Sequence, residues 1–211
     1  MSAIPKPAST VILIDQQGKV YLTKRPATMK FLAGHYVFPG GSIDKGDFPS
    51  TTDLFLNVNN HLSFSIAHYV AAARELFEEV GILLGCNEDG TKAVINQEDM
   101  NHYRRYLLEG KVTYLEIMRE HRLVLNCDSF TYIGHKITPE PSPIRFDTRF
   151  FIVVLPEGQT PLPDAYEIEE AFWIEPEAAL SAYKLGHLKM VRPTVGSLQA
   201  VMDYRDNHLL N

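Results

Sequence analysis

The chain of 211 residues carries 20 basic and 26 acidic side chains, a net charge of −6, with 45% apolar and 22% charged residues. This balance is globular, not disordered, and the length leaves one large domain or a small pair. The acidic sign disfavours duplex nucleic acid as a partner, which calls for basic clusters.

The longest wholly apolar run, residues 150–155, is far short of the ~20 residues of a membrane helix. The opening MSAIPKPAST has no apolar signal core. Cys86 and Cys127 form neither a metal pair nor a disulfide framework. A reducing, cytoplasmic setting without membrane contact is therefore expected.

Residues 1–10, with Pro5 and Pro7, read as a loose lead-in. TVILI at 10–14, a turn at 15–18 and KVYLT at 19–23 make a hairpin by composition. Residues 36–38 run into Pro39-Gly40-Gly41, which ends any strand. The polar stretch 42–66 reads as a loop with one short helix around 52–57.

At 66–84 the character changes. Ala71, Ala72 and Ala73 favour helix, Val70, Ala73, Phe77 and Val80 recur at helical spacing, and Gly81 stands where a helix stops. Residues 96–119 read as two helices broken at Gly110. Strands follow at 130–138 and 149–155, separated by Pro139, Pro141 and Pro143. A short strand at 170–174, a helix at 176–183 and a last helix entered through Pro193 and reaching about 207 complete the chain. With no repeat, no long linker and no regular βαβ alternation, the pattern gives one α/β or α+β domain, a mixed sheet covered by helices.

The segment Arg74-Glu75-Leu76-Phe77-Glu78-Glu79-Val80-Gly81-Ile82 carries the chemistry. On a helix, Glu75 precedes Glu78 and Glu79 by three and four positions, so the three carboxylates share one face. Like charges held there repel unless a cation neutralises them, and an all-oxygen set suits Mg²⁺ or Mn²⁺. Upstream, Gly40 and Gly41 allow close backbone approach to a ligand, and the run ends in an acid at Asp47. Two pieces of one site are implied.

These residues resemble the box of the Nudix hydrolases: Gly, five residues, Glu, seven residues, then R-E-U-x-E-E-x-G-U, with U apolar. Gly41 and Asp47 match the first half with Asp for Glu, and Arg74 to Ile82 match the second in full. Between them stand residues 48–73, 26 positions where the box has seven. A split box with Asp first, and the stretch 145–151 (RFDTRFF), look like the subgroup that includes the mammalian peroxisomal coenzyme A diphosphatase.

The resemblance implies an αβα sandwich over 1–211, with an insertion at about 48–66. It implies hydrolysis of a nucleoside diphosphate linked to another group. Coenzyme A or an acyl-coenzyme A heads the candidates; ADP-ribose or another nucleoside diphosphate sugar is the rival, and a non-catalytic nucleotide-binding module the alternative of another class. Glu75, Glu78 and Glu79 are the implied metal ligands and catalytic groups, with Arg74 holding a carboxylate in place. Asp47 is either a further ligand or a brace for the glycine loop.

A partial likeness to the motif of coenzyme A diphosphatases runs from Leu22-Thr23-Lys24-Arg25 through Lys30 and Gly34 to Phe38-Pro39-Gly40-Gly41. It makes Arg25, Lys30, Gly40 and Gly41 the substrate-binding candidates, with Arg25 and Lys30 offered to a 3′-phosphate. Solvated charge is the plainer reading of Glu167, Glu169 and Glu170, one of which could act as a base. The insertion, with Phe48, Leu54, Phe55, Leu56 and Phe64, is expected to wall the pocket. A homodimer is left open.

Overall fold

The computed structural model describes residues 3–58, 64–94 and 96–208; the first two residues, 59–63 of the expected insertion, residue 95 and the last three lie outside them. The order is β1 (Lys6–Ile14), β2 (Val20–Lys24), β3 (Tyr36–Val37), β4 (Gly40–Ser42), β5 (Phe55–Leu56), α1 (Ala67–Val80), α2 (Gln97–Leu108), α3 (Tyr114–Glu120), β6 (Leu125–Asn126), β7 (Thr131–Ile137), β8 (Phe146–Val154), β9 (Glu170–Ile174), α4 (Pro176–Lys184) and α5 (Arg192–His208). Single 3-10 turns sit at Lys45–Asp47 and Cys127–Ser129.

β1 is the axis of a seven-stranded sheet. It runs parallel to β8 along its whole length, from Lys6 opposite Phe146 to Ile14 opposite Val154. It meets β2 at Ile14 and β4 from Ala8 to Thr10, both antiparallel. β7 extends the sheet beyond β8, and β3 and β9 pair with β2, all antiparallel.

Alternation along the strands divides the apolar side chains between two cores. Val11, Leu13, Phe151 and Val153 meet Val70, Ala73, Phe77 and Val80 of α1. Ile12, Ile14, Phe150 and Ile152 meet Ala179 of α4 and Leu198 and Val201 of α5. The result is the expected mixed sheet between helices. α1 ends at Gly81, whose left-handed φ of 70° turns its N–H back onto the Phe77 carbonyl. Among the described residues no helix is long and apolar enough to cross a membrane.

Three local expectations are corrected. Residues 6–9 are strand, not lead-in: Pro7 lacks an N–H, yet its carbonyl accepts from the Ile43 amide. β8 starts at Phe146 instead of 149 because that extension of β1 gives it a partner. The expected helix at 52–57 is absent, and Phe55 and Leu56 pair in parallel with Leu125 and Asn126. Leu54 and Phe55 are buried by that distant strand, a partner no local pattern discloses.

Phe151 is the fully buried centre of an aromatic cluster, with ring centroids of Phe64, Tyr69, Phe130 and Tyr132 at 5.9, 5.0, 5.8 and 5.9 Å. Phe151→Ala should cost about 3–5 kcal/mol of unfolding free energy, read from the denaturant midpoint at unchanged slope. A loss under ~1 kcal/mol would show that this cluster does not anchor the α1 face.

Candidate active site around the acidic helix

Arg74 is the hub of the site. Its Nε and Nη2 donate to the two Asp47 carboxylate oxygens at 2.8 and 3.0 Å. Nη2 also donates to the Ser42 carbonyl at 2.8 Å. Nη1 lies 2.8 Å from Glu75 Oε1 and 2.7 Å from Glu78 Oε2. Burial opposes the guanidinium charge, but the bond to Asp47 and the charges of Glu75, Asp47 and Glu78 outweigh it and raise its pKa.

Asp47 is fully buried. Its Oδ2 also accepts from the Asp44 amide at 2.7 Å, closing the 3-10 turn. Both oxygens of Asp47 are thus committed to Arg74 and the turn.

The glycine pair sits against the other carboxylates. A side chain at Gly41 would place its Cβ 2.3 Å from Glu75 Oε1, and one at Gly40 would lie 2.3 Å from the Ser9 carbonyl. The Gly40 N–H points to Glu79 Oε1 at 3.5 Å.

Burial pushes the Glu75 carboxyl up to about 8, with Glu78 and Glu167 adding repulsion and Arg74 pulling the other way. Burial, then repulsion from Glu75 and Glu167, raises Glu79 well above the carboxylate range against the pull of Arg25. Burial raises Glu78 too, opposed by Arg74.

The donor chemistry fits a hard divalent cation: Glu75, Glu78 and Glu79 offer only oxygens, and burial leaves them short of positive charge. Among the described residues no three ligating groups already converge on one point; Glu75 and Glu78 both lie on Arg74.

Gly40, Gly41 and Arg25 line a cavity of about 490 Å³ with largely apolar walls, among them Phe31, Phe38 and Phe146. Arg25 spends its Nε on the Phe31 carbonyl at 3.1 Å. Lys30 is exposed and does not line the cavity. The expected wall is also corrected, since no described residue of 48–66 lines it. Phe64 instead stacks on Tyr69 at 5.6 Å and faces Phe151, under the α1 face of the sheet.

Of the three acids at 167–170, Glu169 binds Lys24 at 2.7 Å and Glu170, the first residue of β9, accepts from the Tyr36 hydroxyl at 2.7 Å. Glu167 is the one whose charge acts on Glu75, Glu78 and Glu79. Arg104 went unnoticed in the sequence. It donates to the Glu78, Glu79 and Leu162 carbonyls at 2.9, 2.8 and 2.7 Å. Nothing in an Arg-Arg pair on a polar helix signals that role.

Two outcomes follow. Asp47→Asn should remove about 3 kcal/mol of stability, as loss of one charge from a buried pair does, while the metal concentration for half-maximal rate stays put; paired melting and metal-titration curves decide this. The second concerns pH. A carboxyl with a raised folded pKa stabilises fully below its unfolded pKa and loses that contribution as pH rises through the folded value. For Glu75 the loss is complete only above about 8. His68, lowered by burial from 6.5, acts only below that value. In chelator, then, the melting temperature should fall as pH rises from 6.5 to 8, Glu75→Gln should flatten the slope, and Mg²⁺ should stabilise more at the upper end. A flat or rising parent curve would contradict the assigned burial.

Comparison with known proteins agrees with this geometry. The NUDT19 Nudix domain model matches residues 49–201. Nudix hydrolase 7 of Caenorhabditis elegans is 26% identical over 199 residues, covering 94% of this chain and 61% of its own length. The acyl-coenzyme A diphosphatase NUDT19 of Xenopus laevis is 25% identical over 208 residues, covering 79% of this chain and 55% of its own. The chain therefore spans little more than half the length of these two relatives. The crystal structure of a Nudix hydrolase from Alicyclobacillus acidocaldarius superposes with a TM-score of 0.80 at 30% identity, over 95% of this chain and 92% of that one. A MutT Nudix hydrolase from Burkholderia pseudomallei shares the fold, with a TM-score of 0.52 at 13% identity, over 93% and 98%. With the matched domain running from within the split box to the last helix, the chain belongs to the Nudix hydrolases, in the NUDT19 Nudix domain family.

Proposed function

We propose that residues 1–211 work as one Nudix unit that hydrolyses the diphosphate bond of a nucleoside diphosphate linked to another group, with coenzyme A and its acyl esters preferred over ADP-ribose or nucleoside diphosphate sugars. The observation that carries the reaction class is the buried, mutually repelling Glu75–Glu79 pair set against Gly40 and Gly41 at the edge of the cavity. Support for coenzyme A comes from the family match and from a cavity whose charged lining residues, Arg25 and Lys136, are both basic in a chain of net charge −6.

Glu75, Glu78 and Glu79 are the residues that would hold Mg²⁺ or Mn²⁺. Such an ion neutralises a diphosphate and lowers the pKa of an attacking water. Arg74 holds Glu75 and Glu78 in place, and Asp47 braces Arg74 and the glycine loop instead of binding metal. Arg25 binds the diphosphate from the cavity side. Glu167, the acid before β9 left to face the carboxylates, takes the proton of the water that attacks phosphorus. The P–O–P bond breaks, the new P–O bond comes from water, and two phosphate esters leave.

Glu78→Gln and Glu79→Gln should each lower kcat by at least ~100-fold, about 2.7 kcal/mol of barrier, with the fold intact. Parent rates for both variants would overturn the ligand assignment. In a panel of coenzyme A, acyl-coenzyme A, ADP-ribose, diadenosine polyphosphates and capped RNA, the coenzyme A esters should show the highest kcat/KM, and Arg25→Glu should reduce it for them and for ADP-ribose alike, since both carry the diphosphate. Absence of coenzyme A hydrolysis by the parent leaves a diphosphatase with another preference.

A further inference from the structure

The cavity beside Gly40 and Gly41 extends along the sheet face that α5 covers, where Pro193 and Thr194 of α5 close it against Lys136 of β7 and Thr148 of β8. The sheet register brings these strands' residues together. Lys136 stands opposite Thr148, and Thr148 opposite Ala8, so the three form one row on the same face as Phe150 and Ile152.

This end of the cavity is built for an anion. Thr194 is 4% exposed, lines the cavity, and has no hydrogen-bond partner for its hydroxyl among the described residues. It belongs to the first turn of a helix of 17 residues. The Val195 N–H bonds the Val191 carbonyl at 3.1 Å, and Pro193 has no N–H, so the Thr194 amide precedes the hydrogen-bonded ladder at the positive end of the helix dipole. A helix start with free donors attracts phosphate. Lys136 adds a full charge on an exposed side chain, and no acidic residue among the described ones lines the cavity to compensate it. Between this end and Arg25, Phe31 and Phe146 meet edge to face at 5.2 Å and give an apolar wall for a base.

We infer that Lys136, the Thr194 hydroxyl and the N-terminus of α5 form a subsite for a phosphate monoester that the substrate carries away from its diphosphate. The inference rests on the diphosphatase reading and fixes which part of the substrate enters the cavity: a phosphorylated nucleoside, as in the 3′-phosphate end of coenzyme A. Lys30, exposed and outside the cavity, takes no part.

Binding without turnover isolates the subsite. In chelator, calorimetric titration of the full chain with adenosine 3′,5′-bisphosphate and with AMP should show the bisphosphate bound at least about tenfold more tightly, the lower end of what hydrogen bonds to a charged group contribute. Lys136→Glu and Thr194→Val, checked for parent-like melting, should remove that preference, and Lys136→Arg should keep it. With Mg²⁺ or Mn²⁺, the first two variants should lower kcat/KM for coenzyme A by about tenfold more than for dephospho-coenzyme A. Equal binding of the two nucleotides by the parent, or a preference that survives Lys136→Glu, overturns the subsite. A bisphosphate preference without hydrolysis of any diphosphate would overturn the diphosphatase reading and leave the subsite in place.

Discussion

The two-point bond between Arg74 and Asp47 is the constraint on which the site depends. It joins a glycine loop to a helix across a long stretch of intervening chain, and it does so in a buried setting where an unmatched charge is costly. Because Asp47 also closes its own turn through the Asp44 amide, the loop has one way to lie against α1. Gly41 then comes to rest on the Glu75 carboxylate. A carboxylate shorter by one methylene than the usual first acid of the box suffices, because the 3-10 turn carries it to the guanidinium. The intervening length matters little, since closure entropy grows only with the logarithm of loop length.

α1 itself is held against its own electrostatics. Its acidic residues cluster toward the C-terminal end, where the helix dipole is negative, and its last turn has no basic residue. Arg104 offsets this from α2 by donating to the carbonyls of Glu78 and Glu79. Together Arg74 and Arg104 clamp the acidic turn from the side-chain and backbone directions, while burial and mutual repulsion work against the charge of the carboxylates. Such local conflict is a mark of function, where an element's best stability is given up for chemistry.

Much of this was legible in the sequence. The helical period of Val70, Ala73, Phe77 and Val80 and the stop at Gly81 placed α1, and the spacing of Glu75, Glu78 and Glu79 gave their common face. The helices on either side of Gly110 and the strand at 170–174 were equally local signals. What stayed hidden depends on distant partners. Phe55 and Leu56 pair with residues near 125, residues 6–9 become strand only beside β8, and the cavity wall comes from β7, β8 and α5, with no described residue of the insertion next to the box. Lys136 and Thr194 sit in segments with no motif, and only the register across β7, β8 and β1, together with α5 lying on that face of the sheet, brings them to one cavity. Lys30 shows the opposite error: it lies near Arg25 in the chain, yet its exposed side chain is not part of the cavity lining.

The parallel pairing of β1 with β8 bears on how the chain acquires its shape. β1 is among the most apolar strands, with Val11, Ile12, Leu13 and Ile14 fully buried, yet its long partner, β8, follows it only after most of the other elements of the sheet and the α1–α3 helices. During synthesis that edge stays unpaired until residues 146–154 emerge, so the nascent chain carries an open, hydrophobic strand of the kind that recruits other strands. Pairings this far apart in sequence also fold slowly. An apolar edge left open for so long is the kind of surface that chaperones exist to cover.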